Sequence, residues 1–453
     1  MLDAEQSDGL IHSSRYAWYA TILLTLTQIV SYLDRFLPSL LIHPIEQGLR
    51  INDFQIGLLL GPAFVVFYAI LGLPLGWLAD RFSRKTILAA GVAIWCTLTT
   101  AGAFVSGFYP LLATRLGVGI GEAAVPPASI SLIGDFFQRH RQPRAISLFM
   151  SGTFIGAGAS FLFFGPIVQA IESLPPIHVP LIGSLASWRL CFVLVGAPGL
   201  LLSLLLLILR EPKRREITTT NSALGSSGRS DFRECFSYIL KRWRAFGTLF
   251  VASTCNVMMG ALGFWSVDFF RRTWHWDVAD VGVAVGLILF TAGPLGTLIG
   301  VFLTNRDIAR GRNDATLRVL FLGLLIGVPS CIAFPLMPSV IFTLLALFIS
   351  QIGQAMASAA GPATLVRLAP GQYRAQSTAI YYLVIGLIAQ FFGPPLVGFL
   401  TGVLGSPSSL RYAISIEAAA VGVPSLLLIL NGFAAYRRSV AELDSEIAKL
   451  HTI

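Results

Sequence analysis

The sequence predicts an all-α membrane protein of twelve transmembrane helices, arranged as two pseudo-symmetric six-helix bundles. Three observations predict it. Of the 453 residues, 55 % are hydrophobic and only 12 % charged, about half the ~25 % charged content of soluble chains. With a mean hydropathy of +0.74, the apolar excess must face lipid, which excludes a soluble enzyme, a disordered regulator and a nucleic-acid-binding domain. Apolar runs of about 20 residues, enough to cross ~30 Å of hydrocarbon as helices, recur along the whole chain. The two halves of the chain also echo one another.

The predicted spans are 17 to 42, 54 to 78, 86 to 107, 109 to 133, 146 to 170, 189 to 209, 245 to 269, 281 to 303, 318 to 337, 340 to 365, 377 to 402 and 413 to 435. The start MLDAEQSDGL is acidic and polar, unlike the basic head of a cleaved signal peptide, so the first run is expected to be retained. Counted on alternate sides, Lys and Arg number 25 on the side of the termini and 5 on the other, with Arg35 and Arg115 inside spans. That asymmetry predicts cytoplasmic termini. The absence of Asn-x-Ser/Thr sequons and the short loops lean towards a bacterial inner membrane.

Residues 1–209 form the predicted first bundle and 245–435 the second. Between them, 210–244 is a basic linker with the flexible run TTTNSALGSSGRS and an amphipathic stretch in which Phe232, Phe236, Ile239, Leu240 and Trp243 oppose basic residues. The tail 436–453 repeats that pattern with Val440, Leu443, Ile447 and Leu450. The echoes between halves are Arg144-Ala145-Ile146-Ser147 against Arg374-Ala375-Gln376-Ser377, the Gly-Pro pairs at Gly165-Pro166 and Gly393-Pro394, and Asn305-Arg306 with Arg310 after the eighth span. Such pairs in matching order are the trace of a duplicated transporter.

The most specific string is Gly76-Trp77-Leu78-Ala79-Asp80-Arg81-Phe82-Ser83-Arg84-Lys85, after the second span. An ordinary basic loop accounts for its three cations but not for the glycine and aspartate. A glycine near the helix end permits close helix approach, and Asp80 is placed to face a positive helix N-terminus. The string resembles the loop signature of the major facilitator superfamily, and twelve helices with a central linker extend that resemblance over the whole chain. The resemblance implies a cytoplasmic gate in which Asp80 docks on the start of the eleventh span, around Ala375, with Gly76, Arg81, Arg84, Lys85, Arg144 and Arg374 as further gate residues.

Ionisable residues within spans cost roughly 2.5 to 3.5 kcal/mol each on insertion scales, so each calls for a partner or a job. Asp34 and Arg35 lie in the first span, and Arg115 and Glu122, seven apart and on one helix face, lie in the fourth. Counted from the outer ends, Asp34 falls between Arg115 and Glu122 in depth, so the four are expected to meet. One reading is two ion pairs that merely hold helices together. The other is a proton switch on Asp34 and Glu122, because protonating one carboxylate unbalances two charges of each sign.

Within the superfamily, Tyr32, Asp34, Arg35, GWLADRFSRK, GVAIWCTLTT, RLGVGIGEA, SLIGDFF and RAISLF resemble the spinster family of lysolipid and sphingosine-phosphate transporters over roughly the first 170 residues. Spinster proteins commonly carry Asn where this chain has Ser31. Organic-anion symporters of the superfamily also carry Asp-Arg in the first helix and Arg with Glu in the fourth, so these four residues do not separate the two groups.

The second half carries little charge. Asp268, beside Arg271, and Glu417 are expected at rim level. The polar candidates are Asn256, Gln351, Gln354, Tyr381, Tyr382 and Gln390. A charged first half and an apolar second half suit an amphiphile, its head near Arg35, Arg115 and Tyr32 and its chain towards Asn256, Gln351, Gln354, Tyr381 and Tyr382. The histidines at 12, 43, 140, 178, 275 and 451 all read as loop or tail residues, and no nucleotide loop is present, so neither catalysis, a metal site nor a cofactor is expected. The expected function is alternating-access, proton-coupled transport of a lysophospholipid- or sphingoid-like substrate by a monomer among membrane lipids. The alternative is a proton-coupled symporter of small organic anions such as sugar acids; a channel fits the pseudo-repeat and gate loop less well.

Overall fold

A computed structural model describes residues 14–138, 141–175, 177–179, 183–212 and 232–451, so the linker run TTTNSALGSSGRS and the first residues lie outside the described ones. Among the described residues, eleven helical segments are long and apolar enough to cross a membrane: Asp53–Gly72, Arg84–Gly102, Phe108–Phe136, Arg144–Glu172, Arg189–Ile208, Trp243–Trp274, Val278–Ala309, Ala315–Leu336, Val340–Leu368, Gln376–Leu404 and Leu410–Ser445. They coincide with the second to twelfth predicted spans. The first span, Ser14–Leu40, is a helix of 27 residues but is less apolar, because Asp34, Arg35 and several hydroxyl residues interrupt it. Thr21, Thr25 and Thr27 return their hydroxyls to the carbonyls of Ala17, Thr21 and Leu23, which satisfies those donors within the helix.

Among the described residues, four spans are not single α-helices, contrary to the continuous runs expected; the ninth ends in a 3-10 turn, Phe334–Leu336. The second breaks at Gly61, and Pro62 starts its longer part at the first helical position, where no N–H is needed. The fourth pauses at Ala123 and Ala124 before Pro126 and Pro127, for the same reason. The seventh tightens into a 3-10 turn, Leu262–Trp265, before the short helix Ser266–Trp274. Between the fifth and sixth spans, Ile177–Val179 and Gly183–Leu185 pair as a small antiparallel hairpin in the register Ile177 to Leu185. The twelfth span and tail form one helix, Leu410–His451, of 42 residues, in which Val440 and Leu443 are buried. His43 sits in the helix Ile42–Leu49 rather than a loop and pairs with Gln47 at 3.0 Å.

The chain forms two compact units. The first comprises Met1–Ile51, Leu58–Thr219 and Asp277–Gly286; the second comprises Asn52–Gly57, Thr220–Trp276 and Leu287–Ile453. Inside the first unit, spans three and four cross at glycines. A Cβ on Gly121 would lie 2.5 Å from the Gly91 carbonyl oxygen and 2.8 Å from the Trp95 amide nitrogen, so only hydrogen fits between these backbones. Span six is tied to span three by the Ser203 hydroxyl, which donates to the Ala89 carbonyl at 2.8 Å. Span five lies as closely on span one, where a Cβ on Gly156 would meet Tyr32 Cβ at 2.7 Å.

In the second unit, Arg272 grips both carboxylate oxygens of Asp53, at 2.6 and 3.1 Å, and its Nε reaches Asp268 at 2.7 Å. Asp268, expected in a rim-level salt bridge or snorkelling, forms a salt bridge to Arg272 and is buried. Glu417 departs from its expected position more strongly. It is 1 % exposed, and neither carboxylate oxygen has a hydrogen-bond partner among the described residues.

Candidate functional site

The four intramembrane charges converge in the first unit as two crossed ion pairs. Arg115 Nη1 on span four lies 3.3 Å from Asp34 Oδ1 on span one, and Arg35 Nη2 on span one lies 3.1 Å from Glu122 Oε2 on span four. Charge alternation within each helix forces this crossing, since each helix carries one acid and one base at neighbouring depths. Both carboxylates are buried, Asp34 fully and Glu122 to within 1 %.

Neutral residues complete the cluster. The Thr99 hydroxyl donates to Asp34 Oδ2 at 2.8 Å and accepts from Arg115 Nη2 at 3.1 Å, bridging the first pair. Ser31 donates to Glu122 Oε2 at 2.6 Å, so the serine that departs from the usual spinster asparagine supplies a donor to the cluster. The Arg35 guanidinium carbon stands 4.0 Å from the ring centre of Phe64, 4.7 Å from Tyr32 and 5.1 Å from Tyr68, and Arg115 stands 5.3 Å from Phe192. These aromatic faces offset part of the desolvation of the cations. The two acids differ in one respect that bears on chemistry. Both oxygens of Asp34 are engaged, whereas Glu122 Oε1 has no hydrogen-bond partner among the described residues.

Phe64, Tyr68, Thr99 and Phe192 were not singled out in the sequence, and Ser31 only as a departure from the spinster pattern. Ser31 and Thr99 did lie inside the strings SYLDR and GVAIWCTLTT, one turn of helix or less from a flagged residue or motif. Nothing in the local sequence marks Phe64, Tyr68 or Phe192, because aromatic residues in a span read as packing.

The loop after span two is organised around Arg84, which is buried. It pairs with Asp135 at the end of span four and, at 3.0 Å, with Glu211 after span six. Glu211 also accepts from the Ser83 hydroxyl at 2.8 Å and from the amides of Arg84 and Lys85 at 3.0 and 3.1 Å, capping the start of span three where the helix dipole favours an anion. Burial alone would raise its pKa, but the Lys85 amide, the Arg84 guanidinium and the Ser83 hydroxyl together hold the Glu211 carboxyl below the ordinary carboxylate range. Lys85 donates to the Leu207 and Leu209 carbonyls, closing the end of span six.

The remaining gate candidates are placed as follows. Gly76 faces Pro127, but a Cβ there would make an ordinary 3.6 Å contact, so close approach does not require this glycine. Arg81 stacks on Trp77 at 4.1 Å, and Arg144 and Arg374 are exposed. The side chains of Asp80 and Ala375 lie outside the described ones.

In the second unit, the Asn256 amide donates to the Gln354 carbonyl at 3.2 Å and to Ser358 at 2.8 Å, and the Gln354 amide donates to Ser350 at 2.9 Å. Those contacts join spans seven and ten. Gln351 is half-buried and Tyr381 buried against Phe250, while Tyr382 is 55 % exposed. Among the described residues, no group of His, Cys, Asp and Glu is placed to hold a metal.

The family model described as Major Facilitator Superfamily matches residues 24–313. An MFS-type efflux pump of Mycolicibacterium smegmatis is 27 % identical over 97 % of this chain and 98 % of its own. Protein spinster of Drosophila melanogaster is 26 % identical over 70 % of this chain, and the match spans about half, 50 %, of that longer protein. A crystal structure of a bacterial homologue of the human lysosomal transporter spinster, inward-facing and unoccupied, superposes with a TM-score of 0.76 at 24 % identity, covering 95 % of this chain and 98 % of that one. Twelve spans, the loop built on Arg84 and the family match over residues 24–313 lead to one conclusion: the chain belongs to the Major Facilitator Superfamily, as a multi-pass membrane transporter of small molecules and not an enzyme.

Proposed function

We propose that the protein is a proton-coupled transporter of anionic amphiphiles of the lysophospholipid or sphingoid type, with the head group drawn to Arg35 and Arg115 and the proton carried on Glu122. The observation that carries this reading is the balanced cluster in which one oxygen alone, Glu122 Oε1, lacks a partner among the described residues. Arginine does not release its proton at physiological pH, so only the two carboxylates can titrate. Asp34 already has both oxygens engaged, which makes Glu122 the better acceptor. Protonating Glu122 loosens its hold on Arg35 and leaves the cluster one charge positive, which favours an anionic head. By linkage, proton and anion then strengthen each other's binding. The 26 % identity over 58 % of this chain to a sphingosine-1-phosphate transporter of Xenopus tropicalis supports the amphiphile, and the 26 % identity over 66 % to a probable L-galactonate transporter of Escherichia coli supports the sugar-acid alternative.

In the same reading the protein works as a monomer by alternating access, with both termini on the cytoplasmic side of a bacterial inner membrane, as the 25-to-5 distribution of Lys and Arg favours. The loop from Gly76 to Lys85, with Asp80, Arg144 and Arg374, forms its cytoplasmic gate. The test is uptake into proteoliposomes under an imposed pH gradient, offering a lysophospholipid and a sugar acid side by side. Glu122→Gln should still bind substrate but no longer accumulate it in response to the gradient, and Asp34→Asn should be impaired in the same assay. Full gradient-driven uptake by Glu122→Gln would overturn the coupling. Preference for the sugar acid would move the protein to the organic-anion symporters.

A further inference from the structure

Spans seven and twelve, both in the second unit, leave between them a groove of about 920 Å³ at the end that carries the basic linker. Its rim is cationic. Lys241, Arg242 and Arg244 come from the turn that joins the helix Phe232–Lys241 to span seven, and Arg438 comes from span twelve. One acid, Glu442, faces them and lies 3.5 Å from Arg242. Arg242 is thus engaged, and it also stacks on Tyr238 at 4.3 Å. Lys241 and Arg438, by contrast, are exposed and make no hydrogen bond or ion pair among the described residues. The Arg244 guanidinium stands 5.7 Å from the Trp243 ring centre and forms no ion pair among the described residues.

Below the rim the groove becomes apolar. Val251 and Leu428 are exposed along its two walls, at 43 % and 40 %, and its floor is made shallow by Gly247 and Gly432. Trp243, 62 % exposed at the mouth, has the position of an interfacial aromatic anchor. A cluster of cations over an apolar slot between two transmembrane helices matches, end for end, a ligand with an anionic head and hydrocarbon chains.

We propose that this groove is a binding site for an anionic glycerophospholipid of the leaflet on the basic side, its phosphate between Lys241, Arg244 and Arg438 and one acyl chain along Gly247 and Val251. The site shares no residue with the Asp34 and Glu122 cluster, so it holds whether or not that cluster couples a proton. Its docked lipid pins the linker helix, which is otherwise held by Cys235 near Ser377 at 3.5 Å and by the Tyr238 hydroxyl, which donates to Leu368 at 3.1 Å.

Native mass spectrometry of the full chain in detergent, titrated with phosphatidylglycerol or with phosphatidylcholine of the same acyl chains, tests the site. Each cation near a membrane surface is worth about fivefold in affinity for an anionic lipid. The variant Lys241→Gln/Arg244→Gln/Arg438→Gln should therefore lose on the order of 100-fold in phosphatidylglycerol binding, with little change for phosphatidylcholine. Gly247→Leu fills the groove without a clash, since a Cβ there meets nothing nearer than 3.9 Å, and should weaken both lipids with every charge retained. Glu442→Gln should tighten phosphatidylglycerol about fivefold. Equal binding of the two lipids by the unmodified protein, or an unchanged preference in the triple variant, would overturn the proposal. Competition by inorganic phosphate or glycerol phosphate as effective as that of the intact lipid would make the groove a plain anion site and overturn the lipid assignment.

Discussion

Removing Arg115 should be far more damaging than removing Arg115 and the charge of Asp34 together. Asp34 is fully buried and has two partners, the Arg115 guanidinium at 3.3 Å and the Thr99 hydroxyl at 2.8 Å. In Arg115→Ala the hydroxyl alone faces a buried carboxylate, and breaking one member of a buried pair typically costs about 3 to 5 kcal/mol. Asn at position 34 removes the unmatched charge and keeps the polar contact to Thr99, so Asp34→Asn/Arg115→Ala should recover roughly half or more of that loss. At about 2 to 4 °C per kcal/mol for units of 150 to 250 residues, the single variant should melt on the order of 10 °C lower and the double variant within about 5 °C of the parent. All five cysteines are buried and unpaired, so a thiol-reactive fluorescent dye reports unfolding of the unmodified chain directly. A double variant that melts as low as the single one would show that Arg115 acts through packing against Phe192 rather than through the charge of Asp34, and the argument would fail.

Gly121→Ala should force spans three and four apart, because its Cβ would sit 2.5 Å from a backbone oxygen. A loss of about 1 to 3 kcal/mol is expected, while Gly134→Ala on the same span, with nothing within 4 Å, should melt as the parent does; equal melting of the two variants would refute the close crossing. The folded-state pKa of Glu211 lies below its unfolded value of about 4.3, so its stabilising contribution is complete above that value and lost as pH falls through the folded one. Hydrogen exchange at the start of span three should accelerate on that acid limb, and Glu211→Gln should remove the pH dependence, an unchanged profile being the contrary result. Glu417→Met replaces a buried carboxyl without hydrogen-bond partners among the described residues by an apolar side chain of similar length and should raise the unfolding temperature by a few degrees; a drop of that size would refute this reading.

The parts of this molecule that were legible in the sequence share a physical cause. A charge inside an apolar run is costly wherever it ends up, so Asp34, Arg35, Arg115 and Glu122 announced themselves, and helix periodicity was enough to bring them to one level. How closely each acid approaches its base was not legible, because that depends on how the two helices dock. Thr99 stayed silent, and Ser31 stood out only by its departure from the spinster pattern, for a related reason: a hydroxyl in a span usually bonds its own helix, as Thr21 and Thr25 do, and only the fold shows which ones turn outward. The loop string gave Arg84 and Lys85 but pointed away from their partners. Asp135 and Glu211 lie 51 and 127 residues along the chain, beyond any local pattern. Glu417 was misplaced because distance from a helix end was taken as depth, whereas its carboxylate is buried beside Gly393 of span eleven, where an added Cβ would lie 3.5 Å from Oε1.

The glycine contacts divide the first unit into two slabs that cannot repack internally. Spans three, four and six interlock through backbone contacts at Gly91 and Gly121 and through the Ser203 bond to Ala89, and spans one and five interlock through Gly156. Asp34, Arg35 and Ser31 ride on the second slab; Thr99, Arg115 and Glu122 ride on the first. Every polar contact of the cluster except that of Arg115 with Thr99 therefore crosses one seam. A proton arriving at Glu122 would not bend any helix. In the proposed coupling it would loosen one of the two ion pairs across the seam, so that a change of one charge acts between two stiff plates.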